Sequence, residues 1–228
     1  MRPRFLFITG TDTGVGKTVL TSWLTRHLLQ RGMAVAAFKP VSSGGRADAK
    51  ALRAALQGGL TLDEINPWHF RAPIAPLLAA RREQQQVKMA EVLAHIRTVG
   101  RRFDVVLVEG AGGLLSPLGE DFDSRDLVGA LRADPIVVCP NRLGVVNHAL
   151  LTIGSLSGRA ARRAQVVLMS PSRPNLAGRT NPRLLSEILG RDRVHKFPQR
   201  VAFAVPQRAH PTPAARHILD ALTQGVSQ

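Results

Sequence analysis

The stretch "ITGTDTGVGKTVLTSWL", residues 8–24, decides the fold. It opens as the end of an apolar run, passes through a loop holding three glycines and a lysine, and closes with helical periodicity. A phosphate-binding loop reads G-x-x-x-x-G-K-[ST] between a strand and a helix. Gly16-Lys17-Thr18 supplies the second half intact, while Thr11 stands at the first glycine position and Gly10 lies one place earlier. Context supplies the rest: a strand before, a helix after, and Gly14 and Gly16 free to turn amides inward. Such N–H groups, together with the positive end of the following helix, make a concavity for phosphate oxygens. Gly14, Val15, Gly16, Lys17, Thr18 and Val19 therefore read as a nucleotide site. Lys17 is expected to reach the β- and γ-phosphates of ATP, and the Thr18 hydroxyl to ligate Mg²⁺.

Outward from this loop, short apolar runs alternate with helical segments. Strands are expected at 4–9, 34–40, 103–110, 134–140, 165–169 and 200–206. Their hydrophobicity is continuous rather than alternating, as in strands covered on both faces. Helices are expected at 18–30, 47–57, 89–99, 124–131, 145–156 and 182–189, with another in the last dozen residues. The Pro-rich stretch 58–82 reads as an irregular excursion over the sheet's edge, and 171–181 as an exposed loop. The pattern predicts an α/β, P-loop NTPase-like fold: one domain over 1–228, a mostly parallel sheet and helices on both faces.

Composition narrows the class. The chain has 228 residues, 44% of them hydrophobic, enough for a sizeable core. Its apolar runs are too short to span a membrane, and its start lacks the pattern of a secretory signal. A single cysteine, Cys139, excludes an internal disulfide framework, so a cytoplasmic protein is expected. The net charge is +15, and 26 of the 31 basic residues are Arg. These are scattered along the chain, and aromatics make up only 4%, so no nucleic-acid-reading stripe is expected. Attraction for small anions fits better.

The loop "GTDTGVGKT" resembles that of the dethiobiotin synthetase family. Many related ATPases of the chromosome-partitioning type carry a signature lysine five residues before the loop lysine, where this chain has Asp12. Four further blocks resemble the same family in the same order. They are "KPVSSG" at 39–44 with "RADAKAL" at 46–52, "FRAPIAPLLAA" at 70–80, "VEGAGGLLSPL" at 108–118 and "NRLGVVNHALLT" at 141–152. The resemblance spans roughly residues 5–156. It implies ATP- and Mg²⁺-dependent joining of CO₂ to 7,8-diaminononanoate, through a carbamate and a carbamic-phosphoric anhydride, to give the cyclic urea of dethiobiotin.

Site roles follow from the resemblance. Lys17, Lys39 and Thr13 are implied as catalytic, with the two lysines flanking the γ-phosphate and carbamate. Thr18, Asp48 and Glu109 are implied as the Mg²⁺ shell, although an aspartate in "RADAKAL" also suits a helix N-cap. Gly110, Ala111 and Gly112 let backbone approach phosphate or substrate. Thr13, Ser43, Lys39 and Asn147 are implied to bind the diamine, with Asn147 acting across a homodimer interface. On the base side, Ser170 stands where the family usually has Asn, and Pro206, Gln207 and Arg208 lie in a segment resembling the family's adenine-side loop. Gly14 likewise replaces an acidic residue frequent in the family's loop. Three other readings remain open: a partitioning-type ATPase switch, a cobyrinate-type amidotransferase, and a catalytically degenerate relative. The amidotransferase needs a nucleophilic cysteine and a longer chain.

Overall fold

A computed structural model describes residues 3–199 and 210–224. The chain runs through β1 (Arg4–Gly10), α1 (Lys17–Gln30), β2 (Val35–Phe38), β3 (Val41–Ser43), α2 (Ala47–Ala55), α3 (Leu62–Ile65), β4 (Trp68–Phe70) and α4 (Pro76–Arg82). It continues through α5 (Met89–Gly100), β5 (Val105–Glu109), α6 (Ser124–Leu131), β6 (Asp134–Pro140), α7 (Val145–Gly154) and α8 (Gly158–Arg163). It ends with β7 (Gln165–Ser170), α9 (Leu176–Leu189), β8 (Val194–Pro198) and α10 (Pro213–Leu222).

Six strands form one sheet in the order β2-β5-β1-β6-β7-β8, and every pairing in it is parallel. The run "VVLVE" of β5 is buried at all five positions, as expected of a strand covered on both faces. Phe7, Phe38, Phe197 and the leucines of α1 fill the layers between sheet and helices. Because the strands run in the same direction, β1, β2 and β5 all release their loops at one end, which brings residues 10–18, 39–40 and 109–113 together. No helix among the described residues is long and apolar enough to cross a membrane.

Several expectations are corrected. The stretch 58–82 is not irregular: it holds α3, β4 and α4. Thr61 and Glu64 form a capping box at α3, and β4 pairs in parallel with β3 as a second small sheet. The segment 171–181 is not wholly loop, because α9 begins at Leu176. The Asn175 side chain caps it, accepting from the Gly178 amide at 2.9 Å, and Pro182 lies inside the helix. Gly and Pro in this stretch hid a helix whose Gly178 and Asn181 are buried. Helix α8 and strand β8 were not expected. The expected strand at 200–206 lies outside the described residues.

Candidate functional site

The loop between β1 and α1 bends as its glycines permit. Gly16 precedes the first helical turn at φ 101°, a conformation that disfavours side chains. A Cβ there would also lie 3.0 Å from the Met169 side chain. This turn points Lys17 across to the segment after β5. Its Nζ donates to the carbonyl oxygens of Asp12 at 2.8 Å and Gly112 at 2.7 Å. Burial, aided by the charge of Lys39, lowers the pKa of Lys17 to about 8.

Lys39 follows β2 and is 4% exposed. Its Nζ lies 2.8 Å from Glu109 Oε1, 2.9 Å from Asp48 Oδ2 and 3.1 Å from the Gly110 carbonyl oxygen. Burial opposes the charge, but the two carboxylates outweigh it and hold Lys39 above its ordinary pKa. Asp48 is the second residue of α2, whose N-cap is Arg46, so it is not a capping aspartate. Burial works against its charge too, and the Lys39 ammonium with the Thr18 hydroxyl holds it below the usual carboxylate range.

Glu109 ends β5 fully buried. Oε1 accepts from Thr18 Oγ1 at 2.7 Å and from Lys39, while Oε2 accepts from Thr21 Oγ1 at 2.8 Å. Each hydroxyl has only one proton. That of Thr18 faces both Glu109 and Asp48, and that of Thr21 faces both Glu109 and the Lys17 carbonyl. Neither hydroxyl proton can serve both of its acceptors at once, while the three Lys39 protons serve Glu109, Asp48 and the Gly110 carbonyl. A hard cation could take a lone pair of Thr18 together with carboxylate oxygens. One hydroxyl and two carboxylates leave most of a coordination shell to water and phosphate, as Mg²⁺ prefers, so the residues present fit that ion.

These groups line a cleft of about 600 Å³. Thr13, Gly14, Gly16, Lys17, Thr18, Val19, Lys39, Ser43, Asp48, Ala111 and Gly112 face it, with Ile74, Pro76 and Pro117 as an apolar wall. Glu109 and Gly110 reach it through their bonds to Thr18 and Lys39, whereas Val15 is buried with the core and outside the lining. Two further residues singled out from the sequence are not brought in. Asn147 is exposed on α7 and outside this lining. Ser170 is 5% exposed; its hydroxyl donates to the Leu168 carbonyl at 3.1 Å and accepts from Asn141 Nδ2 at 2.9 Å. Pro206, Gln207 and Arg208 lie outside the described residues. Burial pushes the Cys139 thiol up to about 12, which does not suit a nucleophile.

Two residues escaped the sequence reading. Thr21, one turn beyond Lys17, orients Glu109 and carries only helical periodicity as a signal. Asn66 is fully buried, and its Nδ2 donates to the Lys39 carbonyl at 2.7 Å. Its Oδ1 accepts from Ser42 Oγ and from Arg46 Nε, each at 3.2 Å. With Lys39 N donating to the Ile65 carbonyl at 2.9 Å, the 65–66 segment clamps the lysine's backbone on both sides.

Comparisons with known proteins place the chain in a family. A family model described as an AAA domain matches residues 4–208. The ATP-dependent dethiobiotin synthetase of Anaeromyxobacter sp. (strain Fw109-5) is 40% identical, over 83% of this chain and 87% of that protein. The enzyme of the same name from Bacillus subtilis (strain 168) is 35% identical, over 82% and 84%. Among solved structures, the MinD cell division protein of Aquifex aeolicus superposes with a TM-score of 0.56 at 19% identity, covering 96% of this chain and 94% of that one. A ParA family ATPase from Chlorobium tepidum gives 0.55 at 14%, covering 97% and 99%. At such identities these two likenesses concern the fold alone, that of the P-loop NTPases.

Proposed function

The chain belongs to the ATP-dependent dethiobiotin synthetase family, and from that premise we propose that it joins CO₂ to 7,8-diaminononanoate and closes the ring to dethiobiotin in biotin biosynthesis. The reaction runs through a carbamate and a carbamic-phosphoric anhydride. It is carried out by the chain as one domain over residues 1–228, in the cytoplasm, where a lone thiol such as Cys139 stays reduced.

The observation that carries this reading is the pair of buried ammonium groups on one cleft, Lys17 and Lys39, beside Thr18, Asp48 and Glu109. Lys17 leaves its two carbonyl partners for the β- and γ-phosphates, joining the loop amides of Gly14–Gly16 and Val19. Lys39, kept charged by its two carboxylates, serves as a fixed cation that holds the carbamate oxygen against the γ-phosphorus. Thr13 and Ser43 orient the diamine, and the backbone of Gly110, Ala111 and Gly112 leaves room for it. Thr18, Asp48 and Glu109 would hold Mg²⁺, which would neutralise charge on the triphosphate. Ile74, Pro76 and Pro117 keep water from the labile intermediates.

On the base side, Ser170 borders the nucleotide with Pro206, Gln207 and Arg208. Its hydroxyl is already spent within the protein, so the base is held by packing and selectivity among nucleoside triphosphates is loose.

The active form is a homodimer in which Asn147 of one copy meets the distal carboxylate of the diamine bound to the other. Supporting this, Leu143 and Leu151 stand exposed at 84% and 61% on either side of Asn147, and Leu115 and Leu176 are also exposed. Asn147→Ala should raise the diamine KM more than it lowers kcat, and an unchanged KM removes α7 from the site.

The central test incubates the purified protein with diaminononanoate, labelled bicarbonate and Mg·ATP. Label in an acid-stable product, with matching ADP, is expected. Label that escapes on acidification, or hydrolysis stimulated by DNA instead, defeats the proposal.

A further inference from the structure

A second cleft, of about 750 Å³, opens at the other end of the sheet, where β1, β6, β7 and β8 begin. Its accessible apolar surface comes from Val194, Ala214 and Ile218, with Leu6 and Ile136 buried beneath. Its rim is cationic: Arg4, Arg162, Arg163, Arg191 and Lys196 stand against only Asp134 and Asp192.

Asp134 alone receives Arg4 at 3.1 Å, Arg159 at 3.1 Å and Arg163 at 2.6 Å, so this cluster is itself net positive. Among the described residues no ion pair joins Arg162, Arg191 or Lys196 to a carboxylate, as is true of other surface arginines such as Arg53 and Arg179; these three differ in sharing one cleft. The attraction of a helix C-terminus for cations accounts for Arg162 and Arg163 at the end of α8. It also covers Arg191, the residue after the Gly190 cap of α9, but it does not account for Lys196 within β8. Like charges gathered around a concave apolar floor repel one another unless an anion joins them.

We propose that this cleft is a second ligand site, for an organic anion with an apolar body. The anionic group meets Arg162, Arg191 and Lys196, and the body lies on Val194, Ala214 and Ile218. A bare inorganic anion would leave the floor unused, and a neutral apolar molecule would leave the rim unused.

The test titrates the full chain with the fluorescent probe anilinonaphthalene sulfonate while saturating Mg·ATP fills the catalytic cleft. One saturable site is expected, weakened about tenfold or more in the exposed double variant Arg162→Glu/Arg191→Glu and, separately, in Lys196→Glu, with Mg·ATP binding unchanged in both. Probe affinity that both variants leave intact overturns the proposal. So does equal binding of the neutral analogue phenylnaphthylamine, or displacement of the probe by sulfate at matched concentration.

Discussion

The two halves of the sheet end in opposite chemistry. At the carboxyl ends of β2, β5 and β1, an ammonium, two carboxylates and two hydroxyls share bonds of 2.7–2.9 Å. At the ends of β6 and β7, the groups are neutral and close on each other. Asn141 Nδ2 donates to Ser170 and to the Gly178 carbonyl, and Asn181 Nδ2 donates to Asn141 Oδ1 at 3.2 Å and the Arg142 carbonyl at 3.0 Å. The charged half sets two carboxylates and two hydroxyls beside the ammonium groups of Lys39 and Lys17, and so invites a cation and a phosphate. In the neutral half the Asn141 amide and the Ser170 hydroxyl are spent on each other and on backbone carbonyls, leaving neither for a ligand. Charges buried before the ligand arrives cost no reorganisation when it does.

The largest expected effect breaks the charged half. Lys39→Ala should lower turnover about 10³-fold or more, because it removes the cation aimed at the transferring group. ATP affinity should stay near its original value, since Lys17 and the loop amides remain. Stability should fall by about 3–5 kcal/mol, because Glu109 is left buried without its ammonium. Turnover and calorimetric ATP titration check this together with the melting temperature. Retained turnover would show that the ion cluster is merely structural.

A smaller effect tests how that half is held. Asn66→Ala frees the Lys39 carbonyl together with Ser42 and Arg46, which starts the helix carrying Asp48. It should cost about 1–3 kcal/mol of stability through unpaired buried groups. Per folded molecule, turnover should fall about 10²-fold, as expected of a displaced catalytic group. Asn66→Asp keeps the acceptor for Arg46 but turns an oxygen toward the Lys39 carbonyl, so it should recover little of either stability or turnover. Full recovery of both would assign Asn66 a packing role only.

The same contrast explains what the sequence could disclose. Lys17, Thr18 and Glu109 were legible because a strand, a tight loop and a helix N-terminus place them locally. The loop's lost first glycine did not matter, since Gly16 makes the turn. Asp48 was half legible. Its contact with Lys39 depends on how α2 packs after β3, and "RADAKAL" serves a capped helix equally well. Asn66 was illegible because its partners lie 20 to 27 residues away and "INPWHF" has no periodicity. The stretch 58–82 looked irregular because its elements are only three to seven residues long. Strand β8 was missed because "VHKFP" mixes charge with apolar residues at a sheet edge, where solvent tolerates both.

The smallest effect is expected in the neutral half. Ser170→Ala removes one donor to Leu168 and one acceptor for Asn141, but Asn141 Nδ2 keeps the Gly178 carbonyl at 2.8 Å. The cost to stability should be about 1 kcal/mol. The hydroxyl is already bonded to Leu168 and Asn141, so KM for ATP should change by less than about twofold, and the preference for ATP over CTP or GTP should not move. A hydrogen bond from this hydroxyl to the base would instead be worth about 1.4 kcal/mol, a tenfold rise in KM. A rise of that size, confined to ATP, would mean that Ser170 leaves Asn141 when nucleotide binds. The neutral half would then rearrange on binding, while the charged half waits already formed.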